Sequence, residues 1–250
     1  DNGSSSCRVN FVMEYGNYGY RDERTGADYR NKRTNMETTM QRRMWHQNDP
    51  GVVPNLLITG SGAPTGILVY EGDLLPEPFR GQMIHAEPGR NVVWAFPAKQ
   101  AGAGYSASII DVVRSKANRN YRPSDVSVAP DGSLFIADWF DPVDCCHRTV
   151  NDSGRIFRVA PPNHVYALPA YNFKTPAGAV KALRSPNLSA RYKGWTALIG
   201  MQERARPALK TMASDKNPRF RARALWALAA IKNGAQKAIK TALGDESENI

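Results

Sequence analysis

The sequence predicts a mixed fold in two parts, an all-β front half over residues 1–165 and a short α-helical repeat solenoid over 166–250. Three observations predict it. Between Val52 and Pro161, short runs of Val, Ile and aromatic residues alternate with Gly, Pro and Asp, which is the pattern of strands separated by turns. From Pro176 onward the apolar period changes from two to about 3.6 residues, and Ala and Leu replace Val and the aromatics. The second part also repeats itself at an offset of 30 residues.

Taken in order, the polar, Arg- and Asn-rich stretch Asn17 to Asn48 reads as a long loop with one helix around Thr38 to Trp45. Loops of this length in compact domains serve as lids or insertions. Strands are expected at Asn55–Thr59, Gly66–Tyr70, Gln82–Ala86, Val92–Phe96, Ser108–Val113, Asp125–Ala129, Leu134–Asp138 and Ile156–Val159. Pro130-Asp131-Gly132-Ser133 is a tight turn between the sixth and seventh, with Gly132 supplying a positive φ. Strands of this length and spacing suit a barrel, a sandwich or a propeller.

In the helical part, Asn187 falls on Asn217, Arg191 on Arg221, Trp195 on Leu225, Ala197 on Ala227 and Leu198 on Leu228. Ala208 to Thr211 then fall on Ala238 to Thr241, and Asp215 on Asp245. Each repeat would supply two helices of roughly 10 to 12 residues, because neither can bury its apolar stripe until a neighbouring repeat stacks on it. Gly178 to Arg184 reads as the second helix of an earlier, degenerate repeat, and Pro186 and Pro218 as the beginnings of first helices. Glu246 to Ile250 resembles the start of a further unit, so the solenoid is expected to continue.

Composition is that of an ordinary globular protein, with 42% hydrophobic and 22% charged residues, and excludes disorder. No run approaches the roughly 18 to 20 apolar residues of a membrane-spanning helix, and Asp1 to Cys7 do not resemble a signal peptide, so an export signal is expected upstream. The net charge of +10 sits in the helices: residues 166–250 hold 15 Lys and Arg against 5 Asp and Glu, leaving 18 against 18 for the front. Such a face could attract an acidic protein, an anionic glycan or nucleic acid, or be a solvated surface without a partner. Cys7, Cys145 and Cys146 match no zinc or redox spacing; either Cys7 pairs with one of the adjacent two or all are thiols. Cys145-Cys146-His147 lacks the two intervening residues of a covalent haem motif, so no haem is expected.

Pro64-Thr65-Gly66-Ile67-Leu68-Val69-Tyr70-Glu71-Gly72-Asp73, followed by Pro76, Arg80-Gly81-Gln82 and Val92-Val93-Trp94, resembles a blade of the soluble glucose, aldose and sorbosone dehydrogenase propellers, as does Asn17-Tyr18-Gly19-Tyr20. Arg122-Pro123-Ser124-Asp125-Val126, Ala129-Pro130-Asp131-Gly132-Ser133 and Ala137-Asp138-Trp139 together resemble the large propeller proteins known as planctomycete-type membrane-bound dehydrogenases. This resemblance runs from about Cys7 to Asp245. It implies a six-bladed β-propeller, of which this chain holds roughly the last half, then HEAT-like helical repeats and a cytochrome c domain further on. It also implies a bacterial periplasmic or extracellular location and a sugar or polyol substrate, with no nucleic acid partner.

The soluble sugar dehydrogenases bind pyrroloquinoline quinone and calcium, and their arginines that pair with the cofactor's carboxylates lie in an R-x-R-D-V string. The matching positions are Arg122 to Val126, so the resemblance implies a cofactor-binding role for Arg122 and Asp125, while the second arginine has become Ser124 and a family lysine falls near Gly89 and Arg90. An arginine suits the task because its planar fork grips a carboxylate with two parallel bonds. The bland alternative for Arg122 is an ion pair with Asp125 or Asp138.

The family's catalytic histidine belongs to earlier blades, which leaves His46, His85, His147 and His164 as local acid–base candidates, each otherwise a structural or surface histidine. Asp138, Asp141 and Asp144 could offer oxygens to calcium, or form a solvated acidic turn. Two functions follow. One is part of a quinoprotein-like sugar or alcohol dehydrogenase, the isolated fragment being inactive. The other is a non-catalytic propeller and solenoid that binds glycan or protein through its basic helices.

Overall fold

The computed structural model describes residues 7–21, 25–26, 46, 49–60, 64–140 and 154–250. The expected helix at Thr38–Trp45 and residues Asp141, Asp144, Cys145, Cys146 and His147 lie outside them. The fold is mixed, with antiparallel sheets followed by helices. Among the described residues the sheets close into no barrel or ring.

Strand β1 (Cys7–Asn10) pairs with β2 (Asn55–Gly60). A four-stranded sheet follows in the order β3 (Ile67–Val69), β4 (Met83–Glu87), β5 (Val92–Phe96) and β8 (Ile110–Arg114). The hairpin β6 (Ala98–Ala101) and β7 (Gly104–Ala107) is inserted between β5 and β8. The last sheet is the meander β9 (Pro123–Val128), β10 (Leu134–Asp138) and β11 (Arg155–Val159).

Every residue of β5 is buried, which is why Val92-Val93-Trp94-Ala95-Phe96 is apolar throughout rather than alternating. Val92, Trp94 and Phe96 form a core cluster with Val9, Leu57 and Met83. The strands β1, β6 and β7 have no counterpart in the sequence reading. In β6 and β7 the reason is composition, since AKQA and GYSA are small and polar, bury little and carry no apolar period. The Ala129–Ser133 turn forms as expected, with Gly132 at φ 89° and the Ala129 N–H donating to the Ser133 carbonyl at 2.8 Å.

The helices are α1 (Pro176–Leu183), α2 (Leu188–Met201), α3 (Arg206–Met212), α4 (Pro218–Ala230) and α5 (Ala235–Ala242). Asn187 and Asn217 cap α2 and α4, each accepting a backbone N–H of the first turn. Pro218 opens α4 as expected, but Pro186 precedes the Asn187 cap, because in the 30-residue register it falls opposite Lys216 and not Pro218.

A second device repeats three times at that spacing. The side chains of Ser185, Asp215 and Asp245 accept the N–H of Asn187, Asn217 and Ser247 at 3.2, 2.9 and 2.8 Å, turning the chain into each new unit. Leu209 and Met212 of α3 are fully buried beside α4, whereas Ile239, the counterpart of Leu209 in α5, is 58% exposed. Gly194 lets α2 approach α1, since a Cβ there would stand 2.7 Å from the Ala179 carbonyl oxygen, and its 30-residue counterpart is the small Ala224.

The chain divides into two compact units, 1–127 with 134–160, and 128–133 with 161–250. The turn 128–133 therefore belongs with the helices. Within that unit the Asn187 amide donates to the Val128 carbonyl at 2.6 Å and His164 Nε2 lies 3.2 Å from Asp131 Oδ2.

Candidate functional site

Three connections meet at one end of the two larger sheets. They are the tight turn Pro88–Arg90 between β4 and β5, residues 115–122 between β8 and β9, and Trp139–Phe140 after β10. Asn91, in the left-handed region at φ 55°, ties the first two together: its side-chain amide donates to the carbonyls of Arg119 and Tyr121, and its own carbonyl receives the Ser115 N–H at 3.0 Å.

Arg122 sits in the middle of this end. Its backbone N–H donates to Asp138 Oδ1 at 2.7 Å, its carbonyl receives the Trp139 N–H at 3.0 Å, and its Nη1 donates to the Pro88 carbonyl at 3.0 Å. The guanidinium has no further partner among the described residues, and in particular it pairs with neither Asp125 nor Asp138. The bland alternative of an Arg122 ion pair is thereby corrected, because Asp138 spends its second oxygen elsewhere.

Asp138 is the hub. Its side chain is fully buried, Oδ1 accepts the N–H groups of Arg122 and Phe140 at 2.7 and 3.0 Å, and Oδ2 accepts Nε and Nη2 of Arg155 at 3.0 and 2.6 Å. A carboxylate so engaged is neither a solvated turn residue nor an open cation ligand. No group of three or more His, Cys, Asp or Glu suited to a metal occurs among the described residues. Tyr121, 4% exposed, stacks edge-on to Phe157 with ring centroids 5.8 Å apart. Burial, reinforced by the Asp138 charge, pushes its phenol up to about 12.

Asp125 projects from β9 on the exposed face, and its Oδ1 accepts the adjacent Val126 N–H at 2.8 Å. It is positioned against Gly66, whose N–H donates to the Ser124 carbonyl at 3.3 Å. A Cβ on Gly66 would stand 1.9 Å from Asp125 Oδ1, so glycine is required for the start of β3 to approach β9. Ser124 Oγ lies 3.4 Å from the Ala137 carbonyl.

The histidines separate. His85, 4% exposed on β4, faces Trp94 across the ladder and lies 5.6 Å from the Phe96 ring, and burial holds its imidazole down to about 4. It is neutral near pH 7 and part of the core. His46 is fully buried with Nδ1 2.9 Å from Asp49 Oδ2. His164 belongs to the helical unit.

Two features had escaped the reading of the sequence. The Asp138–Arg155 pair was legible in principle, because an antiparallel ladder between the two expected strands sets these residues opposite each other. The burial of Tyr121 against Phe157 was not, since nothing in a Tyr-Arg-Pro string tells which side of the chain turns inward.

Residues 9–163 match the model of a family described as a domain of unknown function (DUF7133). No curated protein matches the chain. Among solved structures, an oxidoreductase (glucose dehydrogenase) of Thermus thermophilus is similar at 16% identity with a TM-score of 0.28, over 36% of this chain and 24% of that one. The chain thus spans about a quarter of that structure's length.

Proposed function

Because the chain belongs to the DUF7133 family, whose description assigns no activity, we propose a function from its own residues: part of a quinoprotein-type sugar or alcohol dehydrogenase. In this reading the two larger sheets are consecutive blades of a six-bladed propeller of the planctomycete type, and the helices that come after it in the sequence are HEAT-like repeats. The bond from Gly66, just before β3, to Ser124 of β9 supports the blade arrangement, and the 30-residue recurrence of caps supports the solenoid. A periplasmic or extracellular site of action and electron transfer to a cytochrome c domain or protein are parts of the same proposal.

The observation that carries it is Arg122. Its backbone is pinned by Asp138, its Nη1 is steadied on Pro88, and among the described residues the rest of the guanidinium has no partner, which leaves it to receive one carboxylate. The residues present therefore fit one carboxylate of pyrroloquinoline quinone, with Asp125 three residues further on, in β9. Ser124, where the resembling family has an arginine, offers a hydroxyl in place of a cation, and calcium would have to be held by other groups. When bound, the quinone would accept hydride from a sugar or alcohol. Arg122 would orient it, and the buried Asp138, held by Arg155, would keep Arg122 in place.

Calorimetric titration of the protein with pyrroloquinoline quinone and calcium, beside an Arg122→Ala variant, tests this. Saturable binding that the substitution weakens by about tenfold or more is expected for loss of a charge-assisted bidentate contact. Absence of binding at high micromolar cofactor would remove the oxidoreductase reading. The second reading, a non-catalytic module that docks glycan or protein, is favoured by the concentration of positive charge in the helices.

A further inference from the structure

We infer that the groove between α3 and α5 is a docking site for an acidic, amphipathic peptide segment of a partner protein. The inference deepens the docking reading and rests on it, not on the oxidoreductase reading. Helix α4 packs against both α3 and α5, so its residues Leu225 and Leu228 form the floor of a groove of about 300 Å³. Arg206 and Lys210 line it from the α3 side and Lys237 from α5. No acidic side chain lines it, although the unit carries six.

The cations differ in how far they are already committed. Arg206 holds the exposed Glu203 with Nε and Nη2 and also donates to the Lys232 carbonyl at 3.0 Å. Lys210 and Lys237 are exposed and have no ion pair among the described residues. The first turn of α5 adds positive character, since Gly234 at its cap position supplies no side-chain acceptor and also lines the groove. Two ammonium groups that form no ion pair among the described residues, over an aliphatic floor, select a ligand with carboxylates and apolar side chains in one segment. An anionic glycan would meet the charges but would set hydroxyls against Leu225, Leu228 and Ala238, with no aromatic ring in the lining to stack on.

The test is fluorescence anisotropy with a labelled synthetic peptide of glutamate and leucine, its lysine-for-glutamate counterpart and a sulfated heparin oligosaccharide. The acidic peptide should bind at low salt and weaken as salt rises, and the lysine counterpart should not bind. A Lys210→Glu/Lys237→Glu double variant should weaken binding by about tenfold or more. Lys181→Glu/Lys193→Glu makes the same change in net charge at exposed positions elsewhere in the unit and should alter affinity by less than about twofold. Far-UV circular dichroism establishes that both variants keep their helices.

Equal weakening by the two variants would overturn the groove while leaving a diffuse docking face. Binding of the oligosaccharide alone, lost in the groove variant, would overturn the peptide as occupant. Binding of neither probe would overturn both the groove and the docking reading.

Discussion

Asp138 and Arg155 stand directly opposite each other in the β10–β11 ladder, and the arginine delivers Nε and Nη2 to one carboxylate oxygen at 3.0 and 2.6 Å. The other oxygen binds the backbone of Arg122 and Phe140. One strand-end carboxylate thus sets the entry to β9 and the exit from β10, the two segments that frame the proposed site. The guanidinium also lies over the Phe140 ring, 4.2 Å from its centroid.

Asp138→Ala should destabilise the protein by about 3 kcal/mol, since it leaves two N–H groups and a guanidinium without their acceptor. Arg155→Ala should cost less, about 2 kcal/mol, because Arg155 is partly open to water and Asp138 keeps its two backbone donors. Urea unfolding of both variants measures this. Equal, near-zero changes would show that the hub does not hold the loops.

Gly66→Ala places a methyl group 1.9 Å from Asp125 Oδ1 and 2.8 Å from the Asp125 Cα, and backbone cannot yield as a side-chain tip does. A loss of about 1–3 kcal/mol is expected from such overpacking. Adding Asp125→Gly should recover part of it, because the carboxylate is the nearer obstacle. If the double variant were no more stable than Gly66→Ala, the approach of backbone to backbone would be the whole cause.

His85 predicts a pH dependence. Its folded value of about 4 lies below the ordinary value near 6.5, so as pH falls the unfolded chain takes up this proton before the folded one does. The resulting stability is complete above about pH 6.5 and is lost as pH falls through 4, to the extent of roughly 3 kcal/mol. Urea midpoints near pH 7 and pH 4.5 should differ less in His85→Leu than in the wild type. An unchanged pH slope in that variant would assign the dependence to other groups.

The sequence by itself determined the division into strands and then helices, because the change of period from two to 3.6 reports which side of each segment must leave water. It determined the 30-residue repeat, since the Asn caps and the turn residues at 185, 215 and 245 perform the same local hydrogen bonding each time. Local chemistry of this kind needs no knowledge of distant residues. The hairpin β6–β7 was illegible because short strands that bury little on either side leave no apolar signature. Strand β1 was illegible because Cys-Arg-Val-Asn is too short and too polar to show a period.

Only the tertiary structure decided what the named side chains do. Arg122 belonged to a recognisable string, but whether its fork was committed depended on Pro88 and on Asp138 being taken by Arg155, partners 34, 16 and 17 residues apart in sequence. His85 was a candidate base until burial opposite Trp94 made it a neutral core residue. The charge of the helices was countable in advance, whereas the meeting of Lys210 and Lys237 across Leu225 and Leu228 arises from how α3 and α5 stack on α4. Composition and period are properties of neighbours along the chain; a site is made by groups that folding alone brings together.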